Sequence, residues 1–308
     1  MKDKTLSRPL GDNPPSARLI YGVDVREGLK MLPDQSVQMV ATSPPYWGLK
    51  DYGGVEGQLG LEATPEDFVA HLVEVFREIS RVLRDDGVVW LNLGDTYNSG
   101  SGGYCPTDKT PKFEQMNRIG EGSHQSWRKK TALTGHQGLK RKDLVGIPWE
   151  TALALRKDGW YLRSDIIWSK GTCMPEPVRD RPSKSHEYVF LLSKADHYYY
   201  DQEAVRAPSG RNLRTVWQVN PRGFAGAHFA TWPKKLVETM VKAGSRPGDM
   251  VLDPFCGSGT TGEVAWEQNR NFIGLDLNEG YYELAEGRLL GQQPKAPESG
   301  SGIEDLFG

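Results

Sequence analysis

A strand–turn–helix–strand pattern near the end of the chain restricts the possible folds more than any other feature of the sequence. An apolar strand is predicted over 249–253, a glycine-rich turn over 253–262, a helix over 262–269 and a second strand over 271–276. Two strands joined through a helix pair in parallel, and the helix covers one face of the sheet. This unit therefore predicts an α/β protein with a parallel sheet.

The rest of the chain continues the alternation of strands and helices. The clearest helix, 64–83, follows the N-cap Thr64, has Pro65 at its first position and repeats apolar residues every three or four positions. We therefore expect one folded domain over 18–290. Its other predicted strands cover 18–22, 37–41, 88–93, 161–168 and 187–192, and its other helices cover 148–158, 233–243 and 280–290.

Four segments fall outside this alternation. Residues 1–17 are polar and rich in proline, which predicts a flexible N-terminal arm, and the low-complexity residues 291–308 predict a disordered tail. Residues 97–142 carry nine Lys and Arg against three Asp and Glu and are too polar to form a core. This segment is either a disordered surface insertion or a mobile basic loop that meets an anionic partner. Residues 201–227 are irregular and hold four arginines among prolines and glycines.

Composition excludes several classes of protein. The 38 Lys and Arg against 40 Asp and Glu give a net charge of −2, which excludes a globally basic nucleic-acid binder but not a locally basic surface. The three cysteines include no CxxC pair, so neither a disulfide framework nor a metal site is expected. No apolar run reaches the roughly 18 residues of a membrane span, and the N-terminus lacks a signal-peptide core. We expect a cytoplasmic protein that contacts no membrane.

The glycine-rich turn predicts a binding site for a nucleotide-like cofactor. The string Gly257-x-Gly259-x-x-Gly262 follows a strand and opens a helix, where free backbone N–H groups can meet a ligand. Asp276 ends the next strand, where an acid that binds ribose belongs. NAD, FAD and S-adenosylmethionine (SAM) sites all use this pattern. A turn that only packs its helix on the sheet is the alternative interpretation.

The second informative motif is the hexapeptide Thr-Ser-Pro-Pro-Tyr-Trp at 42–47, directly after a predicted buried strand. Its two prolines fix the backbone and donate no N–H, so the carbonyls of Ser43 and Pro44 can accept hydrogen bonds. Tyr46 can stack on a planar ring. A rigid set of acceptors beside an aromatic ring suits an exocyclic amino group on a base. A Pro-Pro turn with a packed tyrosine is the structural alternative.

Together, these motifs resemble those of the amino-methylating DNA methyltransferases, SAM-dependent enzymes that modify N6 of adenine or N4 of cytosine. Residues 43–46 match the family's catalytic tetrapeptide (Ser/Asp/Asn)-Pro-Pro-(Tyr/Phe/Trp), and 255–259 match its cofactor motif Phe-x-Gly-x-Gly. The catalytic motif comes first, as in the permuted β group of that family. Further matches at 23–25, 167–170, 227–233 and 274–276 extend the resemblance over about 18–290. It implies a Rossmann-like, mostly parallel sheet of seven strands, with the strand near residue 20 beside the one that ends at 276.

The resemblance also implies roles for individual residues. The catalytic residues are Ser43, Pro44, Pro45 and Tyr46. The SAM-binding residues are Asp24, Asp253, Pro254, Phe255, Gly257, Ser258, Gly259, Thr260, Thr261, Asp276, His228 and Phe229. Trp47 and the positive charges of the basic segments are candidates for contacts to DNA. These charged candidates are Lys170, Arg128, Lys129, Lys130, Lys140, Arg141, Lys142, Arg211 and Arg214.

The implied reaction is a direct transfer. The Ser43 side chain and the Pro44 carbonyl accept the amino hydrogens and localise the nitrogen lone pair, and the methyl group moves by in-line displacement. The base must first flip out of the duplex, with Tyr46 as its stacking surface. Serine at the first motif position goes mostly with N4 of cytosine in this family, which favours cytosine-N4. Adenine-N6 is the alternative.

More distant alternatives stay open at this point. They are an RNA or protein-amide methyltransferase, an NAD(P)-dependent oxidoreductase, and a non-enzymatic DNA-binding module. The NAD(P) hypothesis leaves the hexapeptide at 42–47 unexplained, and a binding module needs no SAM site. The expected partners are double-stranded DNA and a separate restriction endonuclease, and the protein is expected to be a monomer or a homodimer.

Overall fold

The computed structural model describes residues 1–7, 14–48, 57–98, 139–172, 176–221 and 232–292. Within them, the predicted C-terminal unit forms as a strand, a helix and a parallel strand. The described strands are β1 (Lys2–Ser7), β2 (Ser16–Tyr21), β3 (Val37–Thr42), β4 (Leu83–Leu93), β5 (Tyr161–Ser169), β6 (His186–Ser193), β7 (Val216–Gln218), β8 (Met250–Asp253) and β9 (Asn271–Asp276). The α-helices are α1 (Val25–Lys30), α2 (Pro65–Val82), α3 (Ile147–Lys157), α4 (Lys234–Gly244), α5 (Thr260–Glu267) and α6 (Tyr282–Leu289). Short 3₁₀ turns cover Glu203–Val205 and Glu279–Tyr281.

These strands form one sheet in the order β1-β2-β9-β8-β3-β4-β6-β5-β7. Five of its neighbouring pairs are parallel, and the pairs β1–β2, β4–β6 and β5–β6 are antiparallel. The prediction of an α/β fold on a mostly parallel sheet is confirmed. Tyr21 at the end of β2 lies opposite Asp276 at the end of β9, as expected.

The predicted number of seven strands is wrong, because the described residues contain nine. The two additional strands, β1 and β7, lie at the two edges of the sheet. β1 occupies part of the predicted flexible arm, pairs with β2 and buries Leu6 in the core. β7 lies in the irregular segment 201–227 and buries Trp217. An edge strand with one buried side chain shows too little periodicity to be recognised in the sequence.

Helix α2 shows how the local sequence sets the structure. The Thr64 side chain accepts a hydrogen bond from the Asp67 N–H at 3.0 Å, and Pro65 occupies the first turn. The apolar stripe predicted from the sequence is buried against the sheet; its residues are Phe68, Leu72, Val75, Ile79 and Val82. β4 begins at Leu83, as soon as the helix ends.

The basic segment 97–142 is described only at its two ends, which meet. Asn98 N–H donates to the Asp143 carbonyl at 2.8 Å, and Lys142 N–H donates to the Asn98 carbonyl at 2.7 Å. The segment therefore leaves and rejoins the domain at one point. Residues 99–138, 222–231 and 293–308, and the predictions made for them, lie outside the described residues.

The fold brings the carboxyl ends of β3, β8 and β9 to one edge of the sheet, because these neighbouring strands are parallel. Open α/β sheets bind their ligands at this edge. Among the described residues, no helix is long and apolar enough to cross a membrane, and no cluster of three potential metal ligands occurs.

Candidate active site

The glycine-rich turn after β8 provides an open cradle at this edge. Gly257 and Gly259 have φ angles of +52° and +83°, in the region that favours glycine. A Cβ on Gly259 would lie 3.0 Å from the Ala285 backbone, so the turn fits closely against α6 only with glycine there. A Cβ on Gly257 would meet nothing within 4 Å. This open space next to the start of α5 fits a nucleotide-like cofactor.

Asp276, at the end of β9, completes this cradle. Its carboxylate accepts hydrogen bonds from the Gly257 N–H at 2.7 Å and the Asn278 N–H at 2.8 Å. Burial raises its pKa to about 6, although the two backbone donors favour the ionised form. The predicted pairing of the glycine turn with this acid is therefore present, and the acid is partly accessible.

Asp24 lies close to the same strand end, because the Gly22 N–H donates to the Asp276 carbonyl at 2.9 Å. Its carboxylate caps α1 through the Arg26 N–H at 2.8 Å. The Arg26 guanidinium also forms two hydrogen bonds with it, at 2.9 and 2.7 Å, and these lower the pKa of Asp24. No sequence pattern indicates this pair, in which the predicted SAM-binding acid already has a cationic partner.

Other predicted cofactor residues have internal side-chain contacts. The Arg288 guanidinium donates to the hydroxyls of Ser258 and Thr260 at 2.8 and 2.9 Å. The hydroxyl of Thr261 donates to the Asp253 carboxylate at 2.6 Å. Pro254 is buried beside them, whereas Phe255 is partly exposed. A ligand in the cradle would therefore meet the backbone of this turn and Phe255 rather than the three hydroxyls.

The Ser-Pro-Pro-Tyr loop begins where β3 ends, next to the cofactor turn. The Ser43 hydroxyl donates to Asn92 Oδ1 on β4 at 3.2 Å. Asn92 is itself fixed, because its Nδ2 donates to Glu187 Oε2 at 3.1 Å and to the Tyr188 carbonyl at 3.0 Å. Pro44 is buried and Pro45 is partly exposed. The loop therefore holds Ser43 in a defined orientation at the edge of the site.

Tyr46 is fixed at both its ring and its hydroxyl. The hydroxyl donates to Glu187 Oε2 at 2.6 Å and lies 3.2 Å from Asn92 Oδ1. The ring lies on Gly94, where a Cβ would come within 2.5 Å of it. Lys170, predicted as a DNA contact, pairs with the Glu187 carboxylate, and its Nζ lies 4.6 Å from the centre of the Trp168 ring. Lys170 thus belongs to the site itself.

Asn92 and Glu187 are functional candidates that were not predicted from the sequence. Asn92 interrupts the otherwise apolar run 88–93 in β4, and Glu187 lies near the start of β6, directly before the apolar run 188–192. These two polar positions were the available signal. Their meeting depends on the antiparallel pairing of β4 with β6, in which Asn92 lies opposite Val189. That pairing has no local signature in the sequence.

The prediction that Trp47 contacts DNA is wrong. Its side chain is 2% exposed and belongs to the core beside α2. Its indole N–H donates to the Glu62 carbonyl at 2.9 Å, which satisfies the polar atom on burial. Trp47 directly follows Tyr46, but its ring packs in the core, where its burial stabilises the fold.

The basic candidates lie on the surface where they are described. Lys140, Arg141 and Lys142 are exposed, and Lys142 pairs with Asp180 in the loop before β6. Arg211 and Arg214 are exposed in the loop before β7. The remaining predicted residues lie outside the described residues; they are Arg128, Lys129, Lys130, His228 and Phe229.

The arrangement is typical of Rossmann-like enzymes that use a nucleotide-like cofactor. One edge of the α/β sheet carries a glycine cradle, an acid in the position for ribose and a Ser-Pro-Pro loop. Comparison with known proteins identifies the family. A family model described as DNA methylase, of the N6/N4 methyltransferases, matches residues 37–287. The chain belongs to this family of DNA amino-methyltransferases.

Several relatives match almost the whole chain, among them two Type II methyltransferases. The Type II methyltransferase M.Cfr9I of Citrobacter freundii is 49% identical over 290 residues, which cover 93% of this chain and 91% of that protein. M.SmaI of Serratia marcescens is 48% identical over 287 residues, which cover 91% and 93%. The protein is therefore a SAM-dependent DNA methyltransferase of the restriction–modification type.

Solved structures agree with this assignment. The Thermus thermophilus protein TTHA0409, solved in complex with SAM, is 27% identical with a TM-score of 0.60, and the match covers 90% of this chain and 96% of that one. The PvuII DNA methyltransferase, named as cytosine-N4-specific, has a TM-score of 0.65 and covers 94% and 89%. Its 20% identity shows a shared fold. The cofactor is SAM, which the open cradle at Gly257 fits.

Proposed function

We propose that this protein transfers the methyl group of SAM to N4 of a cytosine in duplex DNA. The observation that carries the proposal is the hydrogen bond from Ser43 Oγ to Asn92 Oδ1. A hydroxyl has one hydrogen and two lone pairs. With its hydrogen engaged by Asn92, Ser43 is left with lone pairs that can accept a hydrogen from an amino group.

The orientation of the Asn92 amide fixes the direction of its hydrogen bond with Ser43. Both hydrogens of its amide nitrogen are engaged, by Glu187 and by the Tyr188 carbonyl, so its oxygen faces Ser43. Ser43 must then donate to Asn92 and accept from the substrate. An exocyclic amine is a weak nucleophile because its lone pair is delocalised into the ring. Acceptance of its hydrogens by Ser43 and the Pro44 carbonyl localises that lone pair and stabilises the positive charge that develops on nitrogen.

SAM, when bound, supplies a methyl group on a positively charged sulfur. The residues of the chain orient the amine for in-line attack and need form no covalent bond to the base. Cys256 agrees with this mechanism, because it is 5% exposed and burial raises the pKa of its thiol well above the usual value. A buried neutral thiol is a poor nucleophile.

The target base has to leave the duplex, since its amino group is paired there. Cytosine is favoured because the first position of the tetrapeptide is serine, which in this family goes mostly with N4 methylation. The neutral hydroxyl is also short, so a pyrimidine amine is sterically compatible with it. The PvuII enzyme, which carries that specificity in its name, has the same fold. Methylation of adenine N6 is the competing assignment.

The deciding experiment is a product analysis. The protein is incubated with SAM and unmethylated genomic DNA, and the DNA is digested to nucleosides for mass spectrometry. N4-methylcytosine is expected, and Ser43→Ala should abolish it while the surface variant Ser36→Ala retains it. N6-methyladenine alone would refute the choice of base.

We also propose that a separate restriction endonuclease shares the recognition sequence, because the relatives are Type II methyltransferases. DNA methylated by this protein should then resist cleavage by that endonuclease. Sensitivity of fully methylated DNA to it would contradict this assignment.

A further inference from the structure

One buried carboxylate connects the two halves of the site. Asp253, at the end of β8, is 2% exposed. Its Oδ1 accepts a hydrogen bond from the Thr42 hydroxyl at 2.7 Å, and its Oδ2 accepts one from the Thr261 hydroxyl at 2.6 Å. The Phe255 N–H adds a third bond, at 3.1 Å. Both threonines are fully buried.

The two threonines belong to different functional segments. Thr42 is the last residue of β3 and immediately precedes Ser43. Thr261 lies in the first turn of α5, which begins directly after the glycine cradle. β3 and β8 are neighbours in the sheet, so one carboxylate group reaches both segments. A displacement of the cradle would therefore be transmitted to the residue before Ser43.

This carboxylate is costly to bury, and stability alone does not require it. Removal of an ionised group from water costs several kcal/mol unless partners compensate for it. No Lys or Arg in the described ranges forms an ion pair with Asp253, whose hydrogen-bond donors there are all neutral. Burial accordingly raises its pKa to about 6. Apolar replacements for this carboxylate together with its two threonine partners would avoid that cost.

Direct contact with the cofactor does not explain the residue either. Both of its oxygens already have protein donors, and the side chain is almost inaccessible. Asp276 differs, since it is partly accessible beside the open space at Gly257. The two acids of the cofactor motif therefore have different tasks.

We propose that Asp253 is a positioning residue that couples the SAM cradle to the catalytic loop, through Thr261 on one side and Thr42 on the other. It holds Ser43 in position relative to the bound cofactor and contacts neither SAM nor the DNA. This inference rests on the proposed roles of the cradle and of Ser43, and it revises the predicted role of Asp253 as a direct SAM ligand.

The test uses Thr42→Val, which removes the hydroxyl and keeps the shape. The single-turnover rate of methyl transfer, at saturating SAM and DNA, should fall about tenfold or more, because a hydrogen bond to a charged group is lost. The dissociation constant for SAM, from calorimetry, should stay within about twofold of the wild type. The matched control is Thr151→Val in α3, a fully buried threonine whose hydroxyl has no hydrogen-bond partner among the residues that the structure describes. It should leave both quantities unchanged.

A double-variant comparison tests the bridge itself. If Thr42 and Thr261 act through one carboxylate, the rate for Thr42→Val/Thr261→Val should be close to that of the slower single variant. Multiplicative losses would overturn the coupling. So would a rate for Thr42→Val that matches the Thr151→Val control.

Hydrogen exchange supplies a readout that does not depend on turnover. SAM should slow amide exchange in residues 43–48 of the wild-type protein, and Thr42→Val should remove this protection although SAM still binds. Asp253→Asn should do the same. A loss of SAM affinity in Asp253→Asn, with protection intact in Thr42→Val, would show that Asp253 is a direct ligand. If the wild type binds SAM but methylates no DNA, the proposed function fails while this exchange test still decides the coupling.

Discussion

The affinity for SAM should depend on pH through Asp276. Burial raises the pKa of this carboxyl to about 6, whereas an unperturbed aspartate has a value of 3.8. The carboxylate is the form that accepts hydrogen bonds from ribose hydroxyls most strongly and attracts a positively charged cofactor. Because the pKa is raised, the free protein loses this form as pH falls through 6.

The magnitude follows from the fraction of ionised protein. With a pKa of about 6, about nine-tenths of the molecules carry the charge at pH 7 and about one-tenth at pH 5. If only the ionised form binds, the apparent dissociation constant rises about tenfold over this range, which equals about 1.4 kcal/mol. Binding should also release protons below pH 7, because the cation stabilises the carboxylate.

Calorimetry in buffers of different ionisation enthalpy measures both the dissociation constant for SAM and the number of protons released on binding. Asp276→Asn should bind SAM more weakly at pH 7 and lose most of the pH dependence, whereas the surface variant Asp196→Asn should behave as the wild type. The negative charge of Asp276 also contributes to the raised pKa of Asp253, so Asp276→Asn should lower that second value. A dissociation constant that stays flat from pH 5 to 7 in the wild type would refute this role for Asp276.

Three substitutions test the rest of the site. Tyr46→Phe removes the hydroxyl bonded to Glu187 and should lower the single-turnover rate about tenfold, with SAM affinity unchanged in calorimetry. Gly94→Ala places a methyl group 2.5 Å from the Tyr46 ring and should reduce the same rate, and full activity would contradict the observed packing. Trp47→Ala should cost about 3–5 kcal/mol of unfolding free energy in urea, because it empties a core position. A stable Trp47→Ala protein with weakened DNA affinity in a binding assay would restore the original prediction for this residue.

Much of the architecture could be predicted because its signals are local. The βαβ unit shows its period and its glycine turn within 28 consecutive residues, 249–276. The two motifs could also be placed together, since parallel strands bring their carboxyl ends to one edge. The edge strands β1 and β7 were missed because each buries little and pairs on one side only.

The parts of the site that were not predicted depend on distant pairing. Asn92 and Glu187 are 95 residues apart, and only the antiparallel register of β4 with β6 brings them together. The environment of Trp47 could not be predicted from its local motif, because that motif permits an aromatic side chain to face either a substrate or the core. Its burial was decided by contacts with residues that include Glu62, which no nearby pattern indicates.

The charges at the sheet edge follow the movement of charge in the proposed reaction. SAM carries its positive charge on sulfur, and transfer moves that charge to the amine nitrogen. The acid Asp276 lies on the cofactor side, where the positive charge starts. On the acceptor side, Glu187 is paired with Lys170, so oriented dipoles rather than a net negative charge meet the nitrogen. An uncompensated carboxylate there would hold an ammonium or a metal ion better than a neutral amine. Ser43, held by its hydrogen bond to Asn92, stabilises the positive charge on nitrogen only as that charge develops during transfer. The barrier falls because the transition state is stabilised more than the ground state.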